Sequence, residues 1–520
     1  MKKLEAFGRP IDNFYMDCNS LIYDAVRDMG NRGPSAGIVD SRLIATVCAK
    51  IHARVGSVRP TSRLMIAFDG VAPVAKLAQQ RNRRYKSWFQ KRVAELVERK
   101  PKGWDTAAIT PGTSFMAALS SKVRSEFANY ESLEVVVSPP DEPGEGEHKI
   151  YEYIRENPEA HADSCTVIYG LDADLIMLTL NHLHVAPDMH LLREAPEFAR
   201  SLDASLDPDS SYLLDIPAFG DALSLDLRPQ RAGGGSSQRM AVSDYIFLCF
   251  FLGNDFLPHF PALNIRSQGI DRLMAAYSST IGSTKSALVG GDTINWTPVR
   301  RLVQHLASNE HSFILEEYKL RDKQARRAWA VQKSVEGELN ALPMRDRGLE
   351  MYINPRMDGW EARYYQSLFE MEPDEERIKE VCMNYLEGLE WTLQYYTSGC
   401  PDWRWTYKYD YPPLLVDLAR YVPGLSTRLV ERKPKDPVNS LVQLSYVLPS
   451  PSLDLLPKRL KHVLLLSHAE WYEPEGEMLT AFCRYIWEAH PRLNPIDISE
   501  LEAMVSEWKR TKDQPSLLGI

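Results

Sequence analysis

The chain has no C-x-x-C pair, and its seven cysteines (Cys18, Cys48, Cys165, Cys249, Cys382, Cys400 and Cys483) are scattered and odd in number. That excludes a disulfide framework and a zinc ribbon, and it suits a reducing compartment. Long apolar runs are missing as well. The longest, YIFLCFFLG at 245–253, is too short to span a bilayer, and the opening MKKLEAFGRPIDNFYMD lacks the apolar stretch of a secretory leader. No membrane insertion is expected, and the cytoplasm is the default location. A positive surplus is also absent: the net charge is −9 and the pI about 5.8, against a protein that coats nucleic acid nonspecifically.

What is present is ordinary globular material, 520 residues with 44% hydrophobic and 25% charged side chains. This is enough for two domains or for one large α/β domain with an extension. Through the first half, short β-like runs (NFYMD 13–17, RLMIAFD 63–69, LEVVVS 133–138, CTVIYGLD 165–172) alternate with amphipathic helical stretches. That rhythm predicts an α/β fold with a parallel-leaning central sheet flanked by helices. Residues 201–240, rich in Asp, Ser, Pro and Gly, read as a mobile surface insertion without chemistry. Beyond about 275 the patterns become long and charged, predicting a division into a 1–275 α/β core and a mainly helical 276–520 region that buttresses it.

Charge is placed unevenly. PGEGEHK (143–149) and YGLDADLIML (169–178) bring Glu145, Glu147, Asp172 and Asp174, and the aspartates interrupt a segment that otherwise reads as buried strand and helix. Asp17, Asp69 and Asp255 each sit where an apolar run meets a turn. One such Asp is usually a turn or cap residue, but seven are harder to explain so. In a parallel sheet, Asp17, Asp69 and Asp172 would meet at the carboxyl edge of the strands, where ligands gather. Grouped carboxylates repel one another unless a cation neutralises them, and hard oxygen ligands suit Mg²⁺ or Mn²⁺. Seven are enough for two ions, the arrangement of two-metal phosphodiester hydrolysis.

A basic stretch adjoins this set. Residues 81–102 hold nine Lys or Arg against two Glu, a local surplus of seven. With Pro73 in the first turn of a helix, Lys76, Gln80, Arg83 and Arg84 follow the spacing of one helical face. Such a face could clamp a phosphate bidentately, or it could be a solvated surface. Trp403 and Trp405, two apart, would share one side of an extended segment and could stack on unpaired bases, although a Trp in a Tyr-rich stretch is more often core.

Taken in order, YMDCNSLIYD, AFDGVAPVAKLAQQRNRR, ITPGTSFMAAL, PGEGEHKI, YGLDADLIML, LLRE, FLGNDFLPHF, the RYYQ region, EGLEWTLQYY and WRWTYKYDYPP resemble the XRN family of 5′→3′ exoribonucleases, from about residue 10 to about 465. The resemblance implies a PIN/flap-endonuclease-like core and an Mg²⁺ centre of Asp17, Asp69, Glu145, Glu147, Asp172, Asp174 and Asp255. It also implies a 5′-phosphate pocket of Lys76, Gln80, Arg83 and Arg84, and processive degradation of single-stranded 5′-monophosphorylated RNA by a monomer. Departures are visible. The family's MGVPKFF-like opening is missing, Tyr23 stands where the family has a base-stacking His, and the long C-terminal region of its cytoplasmic members is absent. These suggest a divergent, compact member of viral or protist kind that retains the nuclease core only. A flap-type DNA nuclease and a catalytically silent RNA-binding protein are the alternatives.

Overall fold

The computed structural model describes residues 1–29, 36–98, 103–128, 130, 133–194, 207, 210–227, 235–328 and 334–511. Its centre is a seven-stranded sheet in the order β1-β7-β6-β5-β2-β3-β4. Five strands run parallel: β2 (Asn13–Asp17), β3 (Arg63–Ala67), β4 (Glu134–Ser138), β5 (Thr166–Tyr169) and β6 (Met189–Glu194). β7 (Ser211–Asp215) and the two-residue β1 (Lys2–Lys3) complete one edge in antiparallel register. Central strands covered on both faces must be apolar throughout, and β2 and β5 are buried at every position.

The helices α1 (Asn19–Met29), α2 (Ala36–Val58) and α4 (Ser114–Phe127) cover one face, with Leu21, Val47, Leu119 and Phe127 packed against Phe14, Ile66 and Val167. Thr113 starts α4 by accepting from Met116 N at 3.3 Å, the cap expected of a Thr ahead of an apolar helix. On the other face α5 (Gly146–Glu156) and α6 (Asp174–His182) bury Ile150, Ile154, Leu175 and Leu178 against Tyr15 and Ile168. The same apolar cluster continues without a break into helices 296–328, 360–369 and 375–398, through Leu302, Tyr364 and Leu389. The helical second half thus shares a core with the sheet. It also contains two small antiparallel ribbons, Val289–Gly290 with Thr293–Ile294 and Pro474–Leu479 with His490–Leu493.

One expectation needs correction. Within 201–240 the described residues are not a loop: Ser211–Asp215 pairs with β6, and Ile216–Leu227 is a helix burying Ile216, Gly220 and Leu227. The apolar periods of SYLLD and IPAFGDALSLDL were masked by the Asp, Ser and Gly around them. Residues 201–206, 208–209 and 228–234 of that segment lie outside the described ones. Among the described residues no helix is long and apolar enough to cross a membrane.

Candidate metal centre and basic helix

Parallel register brings the strand ends level: Asp17 lies opposite Ala67 of β3, and Met16 opposite Tyr169 of β5. Asp17 therefore ends β2, Asp69 follows β3 by two residues and Asp172 follows β5 by three. All three meet the carboxyl edge near the switch point between β2 and β5, where the chain leaves β2 for β3 on one side and β5 for β6 on the other, the place where open α/β sheets bind ligands. Helix starts bring three more carboxylates, because Glu145 precedes α5, Glu147 lies in its first turn and Asp174 begins α6. Gly146 is what lets α5 come so close. A Cβ there would lie 2.6 Å from Asp17 Oδ1. Asp255 arrives from the helical region after a turn at Gly253, whose φ of +87° favours glycine.

The neighbours hold these side chains firmly. Asp69 accepts from Gly146 N at 2.7 Å and from Asn19 Nδ2 at 2.5 Å, while its own N–H donates to Asn19 Oδ1 at 3.1 Å. Glu145 accepts from the Tyr395 hydroxyl at 3.0 Å. Asp255 accepts from Gln79 Nε2 at 3.1 Å, and Asp174 is bonded by Tyr396. Lys149 donates to the carbonyls of Phe68 and Pro139 at 2.8 and 2.7 Å, tying α5 to the loops after β3 and β4. Asn19, Gln79, Lys149, Tyr395 and Tyr396 carried no site assignment on sequence grounds. The signal for them was weak: Asn19 lies two residues past Asp17, Lys149 two past Glu147, and the tyrosines are remote in sequence.

Burial, and then the charges of Asp69 and Asp172, push the Asp17 carboxyl well above its ordinary range. Burial and Asp174 do the same to Glu147, and burial and Asp255 raise Asp174. Asp255 is held low by the Lys76 ammonium. Burial works against charge on Lys76, yet Asp255, Glu147 and Asp69 hold it above the usual lysine range. Buried carboxylate oxygens with no partner are costly. Asp17 Oδ1 and Glu147 Oε2 are two of these. Hard anionic oxygens, unpartnered and near like charges, have the donor chemistry that suits Mg²⁺ or Mn²⁺, but among the described residues no three of these seven carboxylates bring ligand atoms within 4.8 Å of one another.

The four residues assigned to the phosphate clamp do not act alike. α3 (Val74–Glu98) does begin just after Pro73. Lys76 Nζ contacts Glu145 and lies 3.0 Å from Asp255 Oδ2, so it is paired with the carboxylates in this structure. Gln80 is half-buried with Oε1 unpartnered, and Arg83 is exposed. Arg84 Nη2 donates to the Ile109 carbonyl at 3.3 Å and its Nε has no partner. Burial lowers the Arg84 pKa, while Tyr23, Asp105 and Asp69 oppose that. Tyr23, 38% exposed on α1, is thus close to Arg84. The basic surplus of 81–102 is partly internal. Arg81 bonds the carbonyls of Asn494 and Trp471, Lys86 those of Trp487 and Ala489, and Lys91 that of Trp104. Arg99, Lys100 and Lys102 lie outside the described residues.

Trp403 and Trp405 do not share one extended face. Trp403, in a turn, is 6% exposed and its carbonyl accepts from Val74 N. Trp405 is half-buried, stacks on Trp391 at 5.4 Å and donates to Glu387 at 3.3 Å. Another cluster was not anticipated. Cys165, Asp188 and His190 bring ligand atoms within 4.8 Å of one another at the opposite, amino edge of β5 and β6. Arg9 already takes both oxygens of Asp188, at 2.5 and 2.6 Å, which neutralises it.

Comparison with known proteins adds the following. Residues 2–195 match the family description "XRN 5'-3' exonuclease N-terminus", and residues 237–351 and 345–501 match "Xrn1 helical domain". A Drosophila melanogaster protein named 5'-3' exoribonuclease 2 homolog is 30% identical over 87% of this chain and 60% of its own length. The Arabidopsis thaliana 5'-3' exoribonuclease 2 is 26% identical over 94% of this chain and 61% of its own. For Saccharomyces cerevisiae 5'-3' exoribonuclease 1 the identity is 25%, over 97% of this chain and 42% of the relative. The chain spans about three fifths or less of these curated relatives.

Proposed function

The chain belongs to the XRN 5'-3' exonuclease family, and on that premise we propose that it is a divalent-metal-dependent hydrolase that shortens single-stranded RNA from a 5′-monophosphate end, releasing nucleoside 5′-monophosphates processively. The observation that carries this reading is the convergence of Asp17, Asp69, Glu145, Glu147, Asp172, Asp174 and Asp255 on one sheet edge, with buried oxygens of Asp17 and Glu147 unpartnered. These seven would hold two Mg²⁺ or Mn²⁺ ions. Ions bound there would lower the pKa of water and stabilise the leaving oxygen.

The remaining roles fall to this chain's own side chains. Arg83 and Arg84, with the Gln80 amide, would grip the terminal phosphate, and Lys76, on the same face of α3, would pair with Glu145 and keep Asp255 ionised. A pocket sized for one phosphate excludes a triphosphate or a cap, and it can take each new 5′ end in turn. Tyr23, beside Arg84, offers a π face to the terminal base. Of the two tryptophans, Trp405 suits stacking better, since Trp403 is committed to the core. We assign residues 1–275 to the catalytic core and 276–520 to its buttress, the latter supplying Asp174's partner Tyr396 and Glu145's partner Tyr395. A monomer in the cytoplasm fits this reading.

The test uses purified protein, Mg²⁺, and one 3′-labelled RNA bearing a 5′-monophosphate, hydroxyl, triphosphate or cap, with Asp172→Ala alongside. Loss of the monophosphate RNA alone, abolished by the substitution, is the expected outcome. Equal cutting of all four ends would indicate an endonuclease. Preference for DNA of the same sequence would indicate a flap-type nuclease, and binding without hydrolysis a silent RNA-binding protein.

A further inference from the structure

The segment 484–489 lies against the middle of α3. Lys86 holds it by donating to the carbonyls of Trp487 and Ala489, and Ile486 and Ala489 pack with Phe89 and Val93. This fixes an aromatic ledge. Tyr485 and Trp487 stack with centroids 4.2 Å apart and planes inclined by 11°. Trp487 remains 47% exposed, although an indole is among the side chains that gain most from burial. The guanidiniums of Arg266 and Arg484 each lie 5.2 Å from the Tyr485 ring centroid. Arg266 is paired with Glu488 at 2.8 Å. The Arg484 guanidinium has no ion pair or hydrogen bond among the described residues. Beside the ledge opens a cavity of about 240 Å³, lined by Arg266, Arg484 and Tyr485 together with the polar groups of Asn264, Ser267 and Glu317.

The ledge is also continuous with the basic helix. Arg83, one turn before Lys86 on α3, acts electrostatically on both Lys86 and Asp255, and Lys86, which holds the aromatic pair, lies two to three helical turns, roughly 10–15 Å of rise, along α3 from Gln79 and Lys76, which meet the acidic edge. A flat aromatic pair with one indole face open, flanked by arginines and by a polar hollow, is the surface that receives an unpaired base and its phosphate. An acidic peptide could satisfy the arginines but would leave the stacked rings without a partner of matching shape.

We propose that Tyr485, Trp487, Arg266 and Arg484 form an ancillary single-stranded RNA subsite, which holds a nucleotide downstream of the one whose 5′ end lies at the carboxylates. It rests on the RNA reading given above. Stacking on the open face of Trp487 tolerates any base, and Arg484 supplies the phosphate contact. The subsite lengthens the grip on a long strand and does nothing for a substrate too short to reach it.

The test compares the full chain with its Trp487→Ala and Trp487→Phe variants. Affinity is measured by fluorescence anisotropy in EDTA for a 5′-phosphorylated trinucleotide and a dodecanucleotide, and KM and kcat in Mg²⁺ for the same two RNAs. In Trp487→Ala the dodecanucleotide should bind roughly 10-fold more weakly, about 1.4 kcal/mol. The trinucleotide should change by less than about twofold, kcat should hold, and Trp487→Phe should recover most of the loss. Unchanged affinity for the long RNA, or an equal loss for both lengths, overturns the subsite. If the wild type binds the long RNA in a Trp487-dependent way but hydrolyses nothing, the subsite stands and the exonuclease reading falls. If it hydrolyses RNA with no effect of Trp487→Ala, only the subsite falls, and a chain that binds no RNA defeats both.

Discussion

Replacing Lys76 by Met is the most informative perturbation of the acidic edge, because it separates electrostatic balance from packing. The Lys76 side chain is 14% exposed and its ammonium lies 3.0 Å from Asp255 and in contact with Glu145. At an effective dielectric of about 20, one pair at that distance is worth roughly 5 kcal/mol before desolvation. Burial of Lys76 opposes this, so the cost of removing one partner should be the usual one for an uncompensated buried charge, about 3–5 kcal/mol. Met keeps the length of the stem, so little of the loss is a cavity. Thermal unfolding in EDTA should therefore drop by several degrees. Millimolar Mg²⁺ should recover more stability in the variant than in the wild type, since a cation bound at these carboxylates supplies the missing positive charge, and its binding stabilises by mass action. The assay is a differential scan of both proteins with EDTA, Mg²⁺ and Ca²⁺. An unchanged midpoint in EDTA would refute the ion-pair argument. An equal drop in EDTA and in Mg²⁺ would refute the claim that these oxygens hold a cation.

Three further outcomes are expected. Asp172→Ala should lower kcat by at least about 10²-fold, with RNA affinity in EDTA changed by less than about threefold, measured by single-turnover kinetics and anisotropy. Gly146→Ala should leave the circular dichroism spectrum intact yet abolish most activity, because its Cβ would meet Asp17 Oδ1 at 2.6 Å and push α5 off the sheet edge; full turnover would sink this. Glu310 accepts from Leu415 N and Val416 N at 2.6 and 2.9 Å, and burial pushes its carboxyl up to about 8. The folded protein therefore binds a proton there that the unfolded chain has lost above about 4.5. Its contribution is complete below that pH and is lost as pH rises through 8, with a slope of at most about 1.4 kcal/mol per pH unit. Glu310→Gln should start less stable, by about 1 kcal/mol for the weakened cap, and should show a shallower fall in melting temperature from pH 5 to 8.

The parts of the centre legible in the sequence were those set by local pattern. Strands such as NFYMD and TVIY are apolar because both faces are covered, and their ends are marked by the Asp residues that interrupt them, so Asp17, Asp69 and Asp172 could be ordered along one edge before any coordinates. Glu145, Glu147 and Asp174 were legible as members of the carboxylate pairs in PGEGEHK and YGLDADLIML. Asp255 was recognisable only as an Asp after an apolar run; its approach depends on a glycine turn and on the packing of a helical region some eighty residues downstream of β5. Long-range partners were not legible. Nothing in EGLEWTLQYY says that Tyr395 will bond Glu145 while its neighbour Tyr396 reaches Asp174, since that depends on how a helix at 375–398 crosses α5 and α6. Lys76 shows the same limit more sharply. Its spacing with Gln80, Arg83 and Arg84 is that of one helical face, and all four do lie on α3, but periodicity says only which way a side chain leaves the helix. Whether the ammonium meets a phosphate or a carboxylate is decided by the charges waiting there. Here two acidic groups lie within reach of the mostly buried ammonium, and pairing with them outweighs any preference the basic stretch of α3 expresses.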